Sequence, residues 1–308
     1  MNTFKRIWEK AAPNILLTGI RFLLASQNNK DRRKAVLQFF KKIDHKTLSP
    51  EIIEGLKYLK YHKFSAYPYR WALKYDHFTP AVYRDKQHQC YYVLFEGKKM
   101  YFPKRFTETQ VIWVYRSIIK EQDSKSPHMY LTSDFQMDAG SVVVDAGVAE
   151  GNFSLSVVEK AKLLYLVECD SEWMEALRLT FAPWIEKVIF VEKLMSDVES
   201  NLTTSIDSLL RPDPNDTYFI KMDIEGFEQK ALRGMKNLVT SGCNIKMDIC
   251  TYHHPNDLNE IKATIIDYGF KWNLSQSYVL FFQPGEEPSF RKVLLRAEKS
   301  LQKTLNTL

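Results

Sequence analysis

A chain of 308 residues that is 45% hydrophobic has apolar mass for one large domain, or for one domain with a smaller partner. A charged content of 26%, with no repeat or low-complexity tract, excludes collagen-like, coiled-coil and disordered classes. The net charge of +6 is unevenly spread: residues 1–135 hold 25 Lys and Arg against 12 Asp and Glu, and the remainder holds 18 against 25. A basic N-terminal part beside an acidic remainder points to an anionic partner.

In chain order, residues 14–25 are rather apolar but are interrupted by Arg21. The stretch is too short to span a bilayer and lacks a small-residue cleavage site. It reads as an amphipathic helix packed on the protein, with a helix on a membrane surface as the alternative. Apolar positions at helical spacing recur in residues 34–43 and 51–61, with Pro50 in a first-turn position. Residues 90–95, the turn Glu96-Gly97-Lys98 and residues 100–102 read as a β-hairpin. Residues 111–120 are helical, and the polar stretch 121–128 follows.

From residue 141 apolar runs of strand length alternate with helical stretches. Strands are expected at 142–144, 163–167, 188–191, 218–222 and 245–249, with helices from about Gly151 and over 172–180, 225–240 and 258–268. This alternation is the signature of a parallel sheet covered by helices on both faces. Residues 271–274, 278–282 and 293–295 have no long helix between them and are expected to pair antiparallel at one edge. The organisation is a basic helical and hairpin region over 1–135, suited to acceptor recognition, and a catalytic domain over 136–308. Cys90, Cys169, Cys243 and Cys250 lack CxxC spacing, which excludes a zinc knuckle or thioredoxin-type site and leaves free thiols in a reducing cytoplasm as the expectation.

The strongest local signal is Val142-Val143-Val144-Asp145-Ala146-Gly147-Val148-Ala149-Glu150-Gly151-Asn152-Phe153. It is an apolar strand, an acid at its end, two glycines four apart, then a helix. Glycines let the backbone turn sharply and approach a ligand closely, and ligands of open α/β sheets bind beyond the C-terminal strand ends. A dinucleotide loop has a third glycine and leads a pyrophosphate to a helix N-terminus. Here an acid precedes the first glycine and would repel a pyrophosphate, which argues against a nicotinamide oxidoreductase. It suits S-adenosylmethionine, which brings an ammonium and a sulfonium. Glu168 ends the second strand, placed to accept from both ribose hydroxyls, with Cys169 and Asp170 flanking the adenosine. Ser196 and Asp197 follow the third strand, where Asp197 could reach the adenine amino group or cap a turn.

The second distinctive stretch is Tyr218-Phe219-Ile220-Lys221-Met222-Asp223-Ile224-Glu225-Gly226-Phe227-Glu228. Asp223 ends the fourth strand and is expected to face the cleft, whereas acids at 225 and 228 could simply offset a helix dipole. Asp248 closes the fifth strand and is expected near Asp223. His253 follows on a loop, where a histidine is the natural base for a hydroxyl at neutral pH, and His254 is its weaker neighbour. Asp223, Asp248 and His253 could also hold a divalent metal, so metal-assisted and metal-free chemistry both stay open.

At these residues the sequence resembles the FkbM-type methyltransferase family. The resemblance rests on the segment from Asp145 to Leu155, on Glu168, on Ser196-Asp197, on Thr204-Ser205-Ile206-Asp207-Ser208-Leu209 and above all on Ile220 to Glu228, and it covers about residues 120–280. It implies a Rossmann-like class I methyltransferase sheet and an S-adenosylmethionine-dependent O-methyltransferase acting on sugars of glycans, glycolipids or natural products. It also implies that Asp145, Gly147, Gly151, Glu168 and Asp197 line the cofactor and that Asp223 and Glu225 border the reaction. Glu150 stands where many relatives carry Asn, in the loop toward the methionine end. Residues 121–123 and 126–130 look like the segment preceding the first strand in a bacterial subgroup and are expected over the cofactor or substrate. Residues 1–120 match no general family feature.

The expected function is therefore methylation of a sugar hydroxyl on a glycan, glycolipid or polysaccharide precursor, with His253 or Asp223 as the base. The acceptor is expected to be anionic or lipid-linked, with no nucleic acid, since no nucleic-acid-binding motif accompanies the charge. The location is expected to be cytoplasmic, with peripheral contact at the inner membrane surface through the basic region. The rivals are a methyltransferase on a nitrogen or carboxyl acceptor and a non-catalytic module that docks on glycan or membrane.

Overall fold

The computed structural model describes residues 29–282 and 286–300; the amphipathic stretch expected over residues 14–25 lies outside them. Two helices come first, α1 (Asn29–Phe40) and α2 (Pro50–Tyr61). Ser49 caps α2 by accepting from the Ile52 amide, and Pro50 fills the first turn, where its missing N–H costs nothing. The two close on Val36, Phe40, Leu56 and Leu59. An antiparallel ribbon follows, β1 (Tyr83–Asp85), β2 (Cys90–Phe95) and β3 (Lys98–Tyr101), so the expected hairpin gains a third strand. The next helix, α3 (Glu108–Glu121), starts at a capping box of Thr107 and Gln110.

Strands and helices then alternate as the hydrophobic pattern requires. They are β4 (Val142–Ala146), α4 (Asn152–Val157), β5 (Leu163–Val167), α5 (Ser171–Thr180), β6 (Val188–Val191), β7 (Leu194–Met195), β8 (Thr203–Thr204), α6 (Ile206–Leu209), β9 (Thr217–Met222), α7 (Glu228–Arg233), α8 (Lys236–Thr240), β10 (Asn244–Cys250), α9 (Asp257–Asp267), β11 (Lys271–Leu274), β12 (Val279–Phe281), β13 (Ser289–Arg291) and β14 (Leu294–Lys299). The seven-stranded main sheet runs β11-β14-β10-β9-β4-β5-β6. Neighbours from β10 to β6 are parallel, and β14 runs antiparallel to both β10 and β11. Chain order reverses between β4 and β9, the switch point at which such sheets bind ligands.

Alternation along the strands sorts the two faces. Val142, Val144, Ile220, Met222, Met247 and Ile249 pack under α7, α8 and α9 in one cluster. Val143, Leu164, Leu166, Phe219 and Leu294 pack with α4 and α5 and with Tyr69, Val93, Phe102, Tyr115, Tyr130 and Phe135 of the N-terminal half. Both faces are buried, which is why the central strands read as continuous apolar runs. Among the described residues no helix is long and apolar enough to cross a membrane.

Three expectations are corrected. Residues 225–240 are not one helix: α7 begins at Glu228 because Glu225 and Gly226 both take positive φ, and it stops at Gly234, where any side chain would press on the Ser196 carbonyl. Residues 279–281 leave the sheet and pair with β13 as a separate ribbon. Asp248 does not close its strand: β10 runs on to Cys250, so Asp248 lies level with Lys221 rather than with Asp223.

Candidate active site

The parallel ladder continues past the strand ends. The Gly147 amide donates to Val167 O (2.9 Å), the Glu168 amide to Val191 O (3.1 Å) and the Asp223 amide to Ala146 O (3.1 Å). Gly147, Glu168 and Asp223 are thereby brought side by side at the C-terminal rim. Gly147 has φ +76°, and a Cβ there would collide with the Asp223 carbonyl oxygen, so only glycine lets the β4 and β9 ends meet. Gly151 (φ +78°) packs in the same way against Leu177 and Phe181, and it leads into α4.

Asp145 is 0% exposed. Its carboxylate accepts from Ser154 Oγ (2.6 Å) and lies 3.0 Å from Lys221 Nζ. The lysine in turn donates to the Gly147 carbonyl at 2.5 Å. In register across the same face come Asp248 and Arg296, so a buried row of alternating charge crosses four strands and anchors the first glycine. Asp248 is fully buried with Arg296 Nε 3.4 Å away. The set Asp223, Asp248 and His253 is therefore not assembled.

Glu168 is buried, and its two oxygens accept from the Ala149 amide (2.9 Å) and the Asp170 amide (2.8 Å). The first bond holds Ala149 at φ +46°, a conformation that an L-residue keeps only when its surroundings impose it. Each oxygen keeps a further lone pair for a diol. Cys169 is half-buried beside it. Ser196 is buried and donates to Asp197 Oδ1 (3.2 Å), while Asp197 is held by Arg233 (2.9 Å) at the rim.

His253 is the centre of the reaction end. Its side chain is 6% exposed; Nε2 lies 3.3 Å from Asp223 Oδ1 and 3.6 Å from Glu225 Oε2, and Nδ1 lies 3.1 Å from Glu228 Oε1. Burial alone would push the imidazole down, but Glu228, Asp223 and Glu225 hold it well above its ordinary value. Asp223 is pushed up by burial but more strongly down by His253, Lys221 and His128, so it stays ionised. Glu225, its side chain 36% exposed, is pushed up to about 7, first by burial and then by Asp223 and Glu228. Arg291 pins the loop of His253 by donating to the Tyr252 carbonyl (2.8 Å). His254 is exposed, its ring against Gly226.

The N-terminal half reaches the same point. Tyr130 donates to Asp223 Oδ2 (2.9 Å), and His128 Nε2 lies 3.7 Å from that oxygen and 3.2 Å from Tyr252 Oη. Burial pushes His128 down to about 4. Glu121, at the end of α3, is pushed up to about 8 by burial and by Glu150, Asp223 and Glu225; Glu150 is pushed up to about 7 by burial and then by Glu168 and Asp223. Glu121, Glu150, Glu168, Asp223 and Glu225 thus share one field, in which a cation is favoured and an anion is not. A ligand bearing an ammonium and a sulfonium fits this donor set, and the bare glycine backbone leaves room for it.

Asp223, Glu225 and His253, expected together from the sequence, meet at the imidazole, with both carboxylates within 3.6 Å of it. Glu228, whose place at a helix start suggests only a dipole charge, instead contacts His253; burial at a helix start leaves no mark in composition. Lys221 pairs with Asp145 and reaches the Gly147 carbonyl; a lysine inside an otherwise apolar strand is the sequence signal for such a role.

Residues 175–272 match the model of the methyltransferase FkbM domain. No match is found among curated proteins. Among solved structures, a methyltransferase FkbM from Methylobacillus flagellatus KT is 17% identical, with a TM-score of 0.45 over 61% of this chain and 54% of that one. A precorrin-6y C5,15-methyltransferase from Geobacter metallireducens GS-15 is 12% identical (TM-score 0.37; 54% and 82%). A magnesium protoporphyrin IX methyltransferase from Synechocystis PCC 6803, solved with bound S-adenosylmethionine, is 14% identical (TM-score 0.33; 53% and 71%). The chain spans about half the length of the FkbM structure that it matches. Over residues 175–272 the chain is thus similar to the methyltransferase FkbM domain, on a doubly wound α/β sheet whose chain order reverses between β4 and β9.

Proposed function

We propose that the chain is an S-adenosylmethionine-dependent O-methyltransferase whose acceptor is a sugar hydroxyl on a glycan, glycolipid or polysaccharide precursor. The observation that carries this reading is the placement of Glu225, His253 and Asp223 at the strand ends beside Gly147 and Glu168. Bound there, S-adenosylmethionine supplies an electrophilic methyl group. Gly147 and Gly151 admit it, Glu168 takes the ribose with Cys169 alongside, Ser196 and Asp197 border the adenine, and Glu150 faces the methionine end.

A sugar hydroxyl is a weak acid, so a base must take its proton as the new bond forms. Glu225 suits this role, being partly open and pushed up to about 7. Glu228, Asp223 and Glu225 favour the protonated form of His253, which makes it the poorer acceptor for that proton. The imidazole in turn favours the ionised form of Asp223 and lies 3.6 Å from Glu225, which joins His253 and Asp223 as a candidate base. The basic N-terminal half, with Lys30, Arg33, Lys34 and Lys41 lining an open groove on α1, supports an anionic or lipid-linked acceptor reached at the cytoplasmic face of a membrane.

The test is incubation of the purified chain with methyl-labelled S-adenosylmethionine and cell-envelope extract. The reading expects S-adenosylhomocysteine release with label in a sugar after hydrolysis. Label in an amine or a base-labile ester supports the nitrogen or carboxyl rival. No release from a folded chain supports the non-catalytic module.

A further inference from the structure

Asp223 is gripped by a part of the chain that is distant in sequence. Tyr130 donates to Oδ2 at 2.9 Å, while Oδ1 faces His253 Nε2 at 3.3 Å. Tyr130 makes the hydrogen bond that holds Oδ2, whereas Oδ1 and the His253 ring meet as a close ion pair without hydrogen-bond geometry, so the tyrosine is the contact that limits the broad terminal torsion. Tyr130 is itself buried, its ring edge-on to Phe153 and His128, with Lys221 Nζ 5.4 Å from the ring centre. Its segment is fastened on several sides. The Gln122 side chain donates to the His128 carbonyl (3.1 Å) and accepts from the Tyr130 amide (3.2 Å), and Arg296 donates to the Met129 carbonyl (2.6 Å). His128 meets Tyr252 on the other side. A line of contacts Glu228–His253–Asp223–Tyr130 therefore joins α7, the loop after β10, the end of β9 and the segment before β4.

We infer that Tyr130 is a positioning residue: its hydroxyl fixes the Asp223 carboxylate so that Oδ1 stays on His253, and the reaction site is incomplete without the segment preceding β4. The inference rests on the reading of Asp223 and His253 as the reaction end. Other groups facing Asp223 are Lys221, His128, Tyr252 and Cys250, and those facing His253 are Glu225, Glu228, His128 and Asp257. Lys221 is held by Asp145 and Gly147 and His128 stands at 3.7 Å from Oδ2, so neither replaces the hydroxyl bond when it is removed.

The test is nuclear magnetic resonance of the full chain labelled with 15N-histidine, following the two imidazole N–H protons of His253. The wild type gives two protected signals, one facing Glu228 and one facing Asp223. Tyr130→Phe keeps the ring and removes only the hydroxyl. It is expected to lose the Nε2–H signal to exchange with water and to keep the Nδ1–H signal. Asp223→Asn is expected to lose the same signal, and adding Tyr130→Phe to it is expected to change nothing more, since two residues acting through one contact are not additive. Two unchanged signals in Tyr130→Phe would overturn the inference. So would a further change in the double variant, because the tyrosine would then reach His253 by another route. Thermal unfolding of each variant confirms that a lost signal is local. The readout needs no acceptor and no turnover, so it stands or falls apart from the choice of a sugar hydroxyl.

Discussion

Glu228 stands directly behind His253, its Oε1 3.1 Å from Nδ1 and its residue only 1% exposed. The same oxygen accepts from the Ile224 amide at 3.0 Å, which fixes the carboxylate on the ring. This is the geometry by which a buried acid keeps an imidazole oriented and protonated. The folded-state pKa of His253 is raised, so its contribution to stability is complete below the ordinary histidine value of about 6.5 and is lost as pH rises through the raised value. In Glu228→Gln the loss is expected to begin at lower pH than in the wild type. Urea unfolding across the neutral to alkaline range checks this; superimposable profiles would remove Glu228 from the pair.

Glu150 shifts stability with pH in the same direction, for a different reason: it is an acid kept neutral rather than a base kept charged. Burial, Glu168 and Asp223 push it up to about 7, so the folded chain binds that proton more tightly than the unfolded chain. Its contribution is favourable below the usual carboxyl range and is lost as pH rises toward 7. Glu150→Gln is expected to raise the melting temperature at pH about 8 and to change it less at pH about 5. Equal shifts at both pH values would show that the carboxylate is not penalised.

Asp223→Asn keeps the side-chain shape and removes the charge that faces His253. Turnover is expected to fall by at least about 100-fold, the usual scale for a lost group at the reacting centre. Affinity for S-adenosylmethionine is expected to stay within a few fold, read by calorimetry. Normal turnover would take Asp223 out of the reaction.

Gly147→Ala places a methyl group against the Asp223 carbonyl at a backbone angle of +76°. A cost of about 1–3 kcal/mol is expected for the strained conformation alone, read from the urea midpoint, together with loss of cofactor binding. A variant that folds and binds as the wild type does would mean that the two strand ends need not meet as closely as they do.

Much of this arrangement was legible in the sequence. The apolar runs before Glu168 and Asp223 each announced a strand with an acid just past its C-terminal end, whereas Asp145 lies inside β4, fully buried against Lys221 and Ser154. Asp248 and Lys221 broke that logic. They lie inside strands, and only the sheet register reveals that their charges meet Arg296 and Asp145 rather than solvent. The motif from Asp223 to Glu228 was read as strand then helix, but positive φ at Glu225 and Gly226 delays the helix and turns Glu225 into the cleft. No periodicity reports a kink of that kind. Tyr130 and His128 were placed by resemblance in a segment over the site. Their contacts with Asp223 span more than ninety residues of chain and depend on packing that composition does not encode.

The rim formed by Gly147, Glu168 and Asp223 is expected to bind S-adenosylmethionine. Calorimetric titration of the purified chain tests it most directly, run beside Glu168→Ala and a parallel titration with NADH. Micromolar binding of S-adenosylmethionine is expected, weakened by about 1–3 kcal/mol when the Glu168 carboxylate is removed, with no heat from NADH. A folded chain that gives no heat with S-adenosylmethionine, or one that binds equally well without Glu168, would contradict the account.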